Sequence, residues 1–267
     1  MVIKYLNGET FIKENSTYLD TNKYMSSFFY LDATLLVESD NKNYAIKVLS
    51  NDKQLLAMKV EPYFLMLFGD KECLEELFYY IKDNNLEIEG IYCNAEFGET
   101  LFDLTKRILN KEYKLNIGMD FMEARQVSEE SSNEVEIPTL GDVDELYECS
   151  IHFIADCGLT DEVVKDKIIQ NISLFRIIRK DGKIVAFCKK SPESDASIRI
   201  CEVYTRPEYR GQRYARKVVN YLKNEILKSG YIATLNVDQA NPISNHLYQS
   251  LGFTKIFSRA IYLPKKD

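Results

Sequence analysis

The chain has 267 residues, 45% of them hydrophobic, which is enough to bury the cores of two domains. Its net charge of −7, with no run of five or more basic residues, excludes a general nucleic-acid binder, and no apolar stretch of 18 residues marks a membrane span. Two histidines, His152 and His246, and six cysteines without CxxC spacing give no metal-ligand pattern, so no metal is expected.

The start, Met1 to Glu9, turns polar too soon for a signal peptide, and most cysteines sit in apolar runs as buried free thiols would; a cytoplasmic protein is expected. Residues 1–38 are aromatic-rich without a clear period, and Phe28-Phe29-Tyr30-Leu31 suits a core segment or a lid equally well. From there the pattern sharpens. Asn43 to Ser50 reads as a strand, Asn51-Asp52 as a turn, Lys53 to Val60 as the hairpin partner and Pro62 to Phe68 as a third strand. Asp70 is a candidate N-cap for a helix that aligns Cys73, Leu74, Leu77, Phe78 and Ile81. Leu86 to Cys93 alternates as a strand, Ala95 to Leu109 keeps helical spacing, and Tyr113 to Val127 reads as one or two strands. The polar, acidic run Val127 to Glu134 has no period and reads as a linker, which predicts domains over 1–127 and 136–267 joined by 128–135.

The second half opens with helices near Val143 to Ile154 and Asp161 to Ile172. It then repeats the earlier order: Leu174 to Lys180, an Asp181-Gly182 hairpin turn, Lys183 to Lys190, Ser197 to Thr205, a helix over Gln212 to Ser229, a strand over Tyr231 to Val237, a helix over Asn241 to Leu251, and a strand from Phe253 onward. Two copies of one topology are inferred. A strand, a glycine-containing loop and a helix start form an anion site, because first-turn amides lack acceptors and the helix dipole favours negative charge.

The segment Arg210-Gly211-Gln212-Arg213-Tyr214-Ala215 resembles the acyl-CoA pyrophosphate loop of the GNAT superfamily of N-acyltransferases, Gln/Arg-x-x-Gly-x-Gly/Ala. The approach Val203 to Tyr209 and the downstream Asn241-Pro242-x-Ser244-Asn245-x-x-Tyr248-x-x-x-Gly252-Phe253 are similar to the same family's elements, while Arg213 stands where the loop usually has glycine. The resemblance implies an α/β (α+β) fold with a mixed, mostly antiparallel sheet in two tandem copies. In the first copy the equivalent junction, Met66 to Glu72, carries Asp70 and Glu72, which would repel a pyrophosphate.

By the same resemblance, acetyl-CoA is the co-substrate and a primary amine the acceptor. The segment Val203, Tyr204 and Thr205 would hold the pantetheine arm through the main chain of Val203 and Thr205, the amides of Gln212, Arg213, Tyr214 and Ala215 beside Gly211 would cradle the pyrophosphate, and Arg210 and Arg216 would add charge or stand as solvated cations. Arg213 could itself pair with a phosphate. Asn241 reads both as the N-cap of its helix and as a ligand to the cofactor arm, near Ser244. Tyr248 would protonate the departing thiolate or simply pack against the sheet; Glu202 would take the amine's proton, directly or through water, or be an ordinary strand carboxylate. A non-catalytic acyl-CoA sensor or scaffold is the competing reading. Oligomeric state has no sequence signal.

Overall fold

The computed structural model describes residues 1–129, 132–158, 162–194 and 196–265. They fold as two compact units: residues 1–120 with 238–240 and the stretch from Phe257 onward, and residues 121–237 with 241–256.

The first copy runs β1 (Val2–Tyr5), α1 (Gly8–Leu19), α2 (Lys23–Ala33), β2 (Tyr44–Ser50), β3 (Lys53–Lys59), β4 (Leu65–Gly69), α3 (Leu74–Asp83), β5 (Ile91–Asn94), α4 (Gly98–Leu109) and β6 (Tyr113–Ala124). The second repeats that order: β7 (Val135–Glu136), α5 (Val143–Asp156), α6 (Lys165–Gln170), β8 (Phe175–Lys180), β9 (Lys183–Ser194), β10 (Ser197–Thr205), α7 (Tyr214–Lys228), β11 (Ile232–Asp238), α8 (Pro242–Ser250) and β12 (Thr254–Pro264). Residues 1–38, unreadable by period, are therefore the opening strand and two helices of the first copy. Asn7 and Asn22 start those helices by accepting the Thr10 and Met25 amides at 2.9 and 3.2 Å.

In the first unit the strand order is β1-β2-β3-β4-β5-β12. One sheet face carries α1 and α2, with Phe11, Phe29, Met58, Met66 and Phe68 in the core; the other carries α3 and α4, with Leu67, Leu74, Phe78, Leu101 and Leu104. In the second unit the order is β11-β10-β9-β8-β7, with β6 on the outer side of β11. Val218, Leu222, Leu235 and Val237 bury α7 and α8 on one face, and Leu146, Cys149, Phe175, Phe187 and Tyr204 bury α5 and α6 on the other. Only β4–β5 and β10–β11 are parallel among the paired strands with a defined register, so each sheet is mixed and mostly antiparallel. At the predicted β8–β9 turn, Asp181 and Gly182 take φ of 50° and 79°, the left-handed pair a two-residue hairpin needs.

The first unit's long segment ends at Asp120, ahead of the 128–135 boundary expected from the sequence. β6 is one unbroken strand whose Phe121, Met122 and Ala124 are buried in the second unit, and Arg259–Tyr262 of β12 lie antiparallel to Asn94–Ile91 of β5 in the first. Each copy's closing strand thus carries residues of the other's unit, an exchange that composition cannot signal. The linker is pinned rather than loose where it is described: Ser128 donates its amide to Asn224 Oδ1 at 3.0 Å and its hydroxyl to Asn220 Oδ1 at 2.7 Å. Residues 130 and 131 of that stretch, and Asp161 at the predicted helix start, lie outside the described residues.

Three local expectations are corrected. Leu86 to Gly90 is not strand, although Leu86 and Ile88 are buried: the Leu86 and Glu87 amides donate to the Ile81 and Asn41 carbonyls at 3.0 and 2.8 Å, and the strand begins at Ile91. The helix predicted to end at Ile172 stops at Gln170. Asp70 makes no capping bond: its carboxylate accepts the Gln54 amide at 2.9 Å and pairs with Lys53 at 3.3 Å.

Candidate functional site

β10 is where the second sheet changes character. Against β9 its register runs from Cys201↔Lys189 to Tyr204↔Phe187, so three steps on β10 oppose two on β9. Glu202 absorbs the extra residue at φ 51°, and such a bulge takes its peptide groups out of the ladder. On the other edge β10 and β11 pair at three positions only, Ser197↔Ile232, Ile198↔Ala233 and Arg199↔Thr234. From Ile200 and Leu235 onward the two strands no longer pair, and a notch opens between them.

At the mouth of the notch a turn at Pro207–Tyr209 leads to Gly211 at φ 76° and Arg213 at φ 65°, ψ 16°, immediately before α7. A Cβ on Gly211 would meet nothing within 4 Å. Arg213 makes no capping bond, and the first bond back to it comes from the Lys217 amide at 3.1 Å, so the Tyr214 and Ala215 amides ahead of it have no acceptor in the helix. Ala215 is half-buried and Gln212 and Arg213 are exposed, which leaves this positively polarised end open to an anion. The backbone at 213 takes the left-handed conformation glycine adopts freely, and an arginine there costs about 1 kcal/mol.

The structure sorts the other sequence candidates. Arg210 is engaged by the Asp156 carboxylate and by the Thr205 carbonyl, the latter at 3.1 Å, whereas Arg216 donates to Ser250 Oγ at 2.8 Å. Asn241 caps α8 by accepting the Ser244 amide at 3.0 Å, which leaves its exposed side-chain NH2 available. Val203 is half-buried against the α7–α8 core, and Tyr204 is buried on the opposite face. Tyr248, 7% exposed, packs edge-on against Phe253 at 6.1 Å, and burial pushes its phenol well above the ordinary value. Glu202 forms an ion pair with Lys189 at 2.9 Å. Burial lifts the Cys149 thiol to about 11 and raises Cys188 as well, so neither supplies a ready nucleophile.

Sequence reading passed over Ser150 and Asn236. With Tyr204 and Thr205 they supply the buried side-chain polar atoms of the second unit that find no partner among the described residues: Ser150 Oγ, Tyr204 Oη, Thr205 Oγ1 and Asn236 Oδ1. An asparagine inside the otherwise apolar and β-branched run Tyr231 to Val237 was the available signal. Among the described residues no group of three or more His, Cys, Asp or Glu is placed to hold a metal, and no helix is long and apolar enough to cross a membrane.

Residues 143–253 match the acetyltransferase (GNAT) family. A curated relative, the [ribosomal protein bS18]-alanine N-acetyltransferase of Haemophilus ducreyi, is 40% identical over 63 residues, 23% of this chain; the match spans 43% of that protein, less than half its length. Among solved structures, a GNAT-family acetyltransferase from Colwellia psychrerythraea covers 100% of both chains at 13% identity and TM-score 0.63. A GCN5-related N-acetyltransferase from Sphaerobacter thermophilus covers 100% of this chain and 97% of its own at 14% identity and TM-score 0.63. A tandem GNAT protein from the clavulanic acid biosynthesis pathway covers 99% of this chain and 98% of its own at 8% identity and TM-score 0.56. At such identities these structures share the fold, here in two tandem copies. The family match thus covers residues 143–253, the segment that carries β10, the loop before α7 and α8.

Proposed function

We propose that this protein transfers an acetyl group from acetyl-CoA to a primary amine by direct attack at the notch of the second unit. The observation that carries the reading is the parting of β10 and β11 after three pairs, with the unfilled amides of α7 at its mouth. Bound there, acetyl-CoA supplies a thioester carbonyl to be attacked and a thiolate to leave. The main chain of Val203, and that of Thr205 once Arg210 releases its carbonyl, pairs with the amides of the pantetheine arm as an added strand would. The Gln212, Arg213, Tyr214 and Ala215 amides beside Gly211 hold the pyrophosphate. The Asn241 side-chain NH2 is free to meet the arm while its oxygen caps α8.

As the new C–N bond forms and the C–S bond breaks, Tyr248 donates its proton to the sulfur. Burial keeps Tyr248 protonated, and a thiolate released into the same dry pocket is raised for the same reason, so the transfer stays matched. Glu202 receives the amine's proton directly or through water once Lys189 moves aside. The raised thiols of Cys149 and Cys188 disfavour those two as acyl relays. The curated relative's name suggests the first acceptor to try, the α-amine of an N-terminal alanine on a protein. Six free cysteines suit a reducing, cytoplasmic setting.

The test is calorimetry with acetyl-CoA together with CoA release over N-terminal alanyl peptides, lysine amide and spermidine. Binding with turnover of an amine is the expected result. A non-catalytic acyl-CoA binder is favoured by one observation, the Glu202–Lys189 pair that occupies the base; binding without turnover of any amine would select it.

A further inference from the structure

We propose that Asn236 positions the acceptor amine, its side-chain oxygen accepting an N–H of the attacking nitrogen. This deepens the transferase reading and rests on it.

Leu235 and Val237 are buried with Val218 and Leu222 of α7, so strand alternation turns Asn236 to the opposite face, toward the side of α5 and α6. It lies beyond Arg199↔Thr234, the last β10–β11 pair, and therefore in the open part of the notch. On the same face Tyr204 is 4% exposed and packs with Phe187, Phe175 and Cys149, and Ser150, 5% exposed, follows Cys149 on α5. Glu202 belongs to this side too, because its partner Lys189 lies 5.4 Å above the Phe175 ring.

Folded proteins satisfy nearly all buried polar atoms, and each orphan costs stability. In the second unit those found among the described residues are Ser150 Oγ, Tyr204 Oη, Thr205 Oγ1 and Asn236 Oδ1; two of them are in the β10 stretch that borders the notch and one in β11 across from it. A hydroxyl can serve as donor or acceptor, but Asn236 Oδ1 can only accept. What completes it brings an N–H. A primary amine does so, and so does an amide of the pantetheine arm. The amine is favoured by face: Asn236 shares its side with Glu202, whereas Tyr248 lies in the α7–α8 core on the other side. An amide cannot take the amine's proton, so Asn236 orients the lone pair while Glu202 acts as base.

The experiment compares wild type, Asn236→Leu and Asn236→Asp, using acetyl-CoA for calorimetry and the best acceptor among alanyl peptides, lysine amide and spermidine for kinetics. Asn236→Leu is expected to keep its acetyl-CoA affinity, which also certifies its fold, and to raise the acceptor KM about tenfold or more with a smaller change in kcat. Asn236→Asp, which retains an accepting oxygen at the same reach, is expected to restore the acceptor KM. An unchanged KM in Asn236→Leu would overturn the proposal and assign the orphan oxygen to water. Weakened acetyl-CoA affinity with unchanged acceptor KM would overturn it in favour of the pantetheine arm. A wild type that turns over none of these amines fails the transferase reading itself, before any variant is compared.

Discussion

The two copies carry the same notch and treat it differently. In the first unit β4 and β5 pair at Leu65↔Ile91 and Met66↔Tyr92 and then part, much as β10 and β11 do after three pairs. There the opening is lined with aromatic side chains. Tyr18 and Phe29 meet Phe68 at 5.4 and 6.3 Å, Phe28 meets Tyr92 at 5.9 Å, and the Arg259 guanidinium lies 5.5 Å from the centre of the Phe28 ring and 5.8 Å from that of Tyr92. A small cavity remains between Met25, Phe29, Met66, Tyr92 and Arg259, but the loop after β4 is closed. A Cβ on Gly69 would stand 2.2 Å from the Gln54 carbonyl, the Asp70 amide donates to that carbonyl at 2.8 Å, and the Cys73 amide to the Asp70 carbonyl at 3.2 Å. The corresponding loop of the second unit leaves its glycine open and its first-turn amides unspent. The same topology thus leaves loop amides bonded in one copy and unfilled at the helix start in the other.

Breaking the second copy's chemistry should have the largest effect. Tyr248→Phe should lower kcat by about 10²- to 10⁴-fold, the range of general acid catalysis, with acetyl-CoA affinity unchanged. Steady-state kinetics beside calorimetry checks this, and an untouched kcat would return Tyr248 to a packing role. Making the open loop resemble the closed one comes next. Gly211→Glu places a carboxylate where the pyrophosphate charge would lie, and acetyl-CoA affinity should fall about 100-fold, or about 2.7 kcal/mol.

A third change acts on the first copy through stability alone. Burial raises the Asp32 carboxyl from 3.8 to about 6. The folded state then binds more protons than the unfolded chain between those values, so this group lowers stability as pH rises from about 4 to about 6. Asn at this position removes the penalty: Asp32→Asn should add up to about 3 kcal/mol at pH 7, with the gain fading as pH falls from about 6 to about 4, read from urea unfolding at pH 7 and pH 4. The smallest effect is expected at the second copy's left-handed N-cap. Arg213→Gly should stabilise by about 1 kcal/mol in the same unfolding assay, because glycine takes that conformation without strain.

Periodicity made the strands and most helices legible, since Leu74 to Ile81 and Val218 to Ile226 each bury a stripe at helical spacing. It failed at α1 and α2 because Tyr18, Phe28 and Tyr30 put half-buried aromatics around the core stripe of Phe11 and Phe29 and blur its edge. The Asn7 and Asn22 caps were the readable signal there. The exchange of closing strands was invisible because pairing partners depend on the whole sheet and not on local residues. At the site, the glycine loop and Asn241 were legible as local chemistry. The Glu202–Lys189 pair, the engagement of Arg210 by Asp156 and the orphan oxygen of Asn236 depend on contacts between distant segments.

The central claim, that one copy binds acetyl-CoA and the other is closed to it, is tested most directly by the stoichiometry of an acetyl-CoA titration. One site per chain, removed by Gly211→Glu, is the result this account predicts. Two sites per chain, or a single site that survives Gly211→Glu, would contradict it.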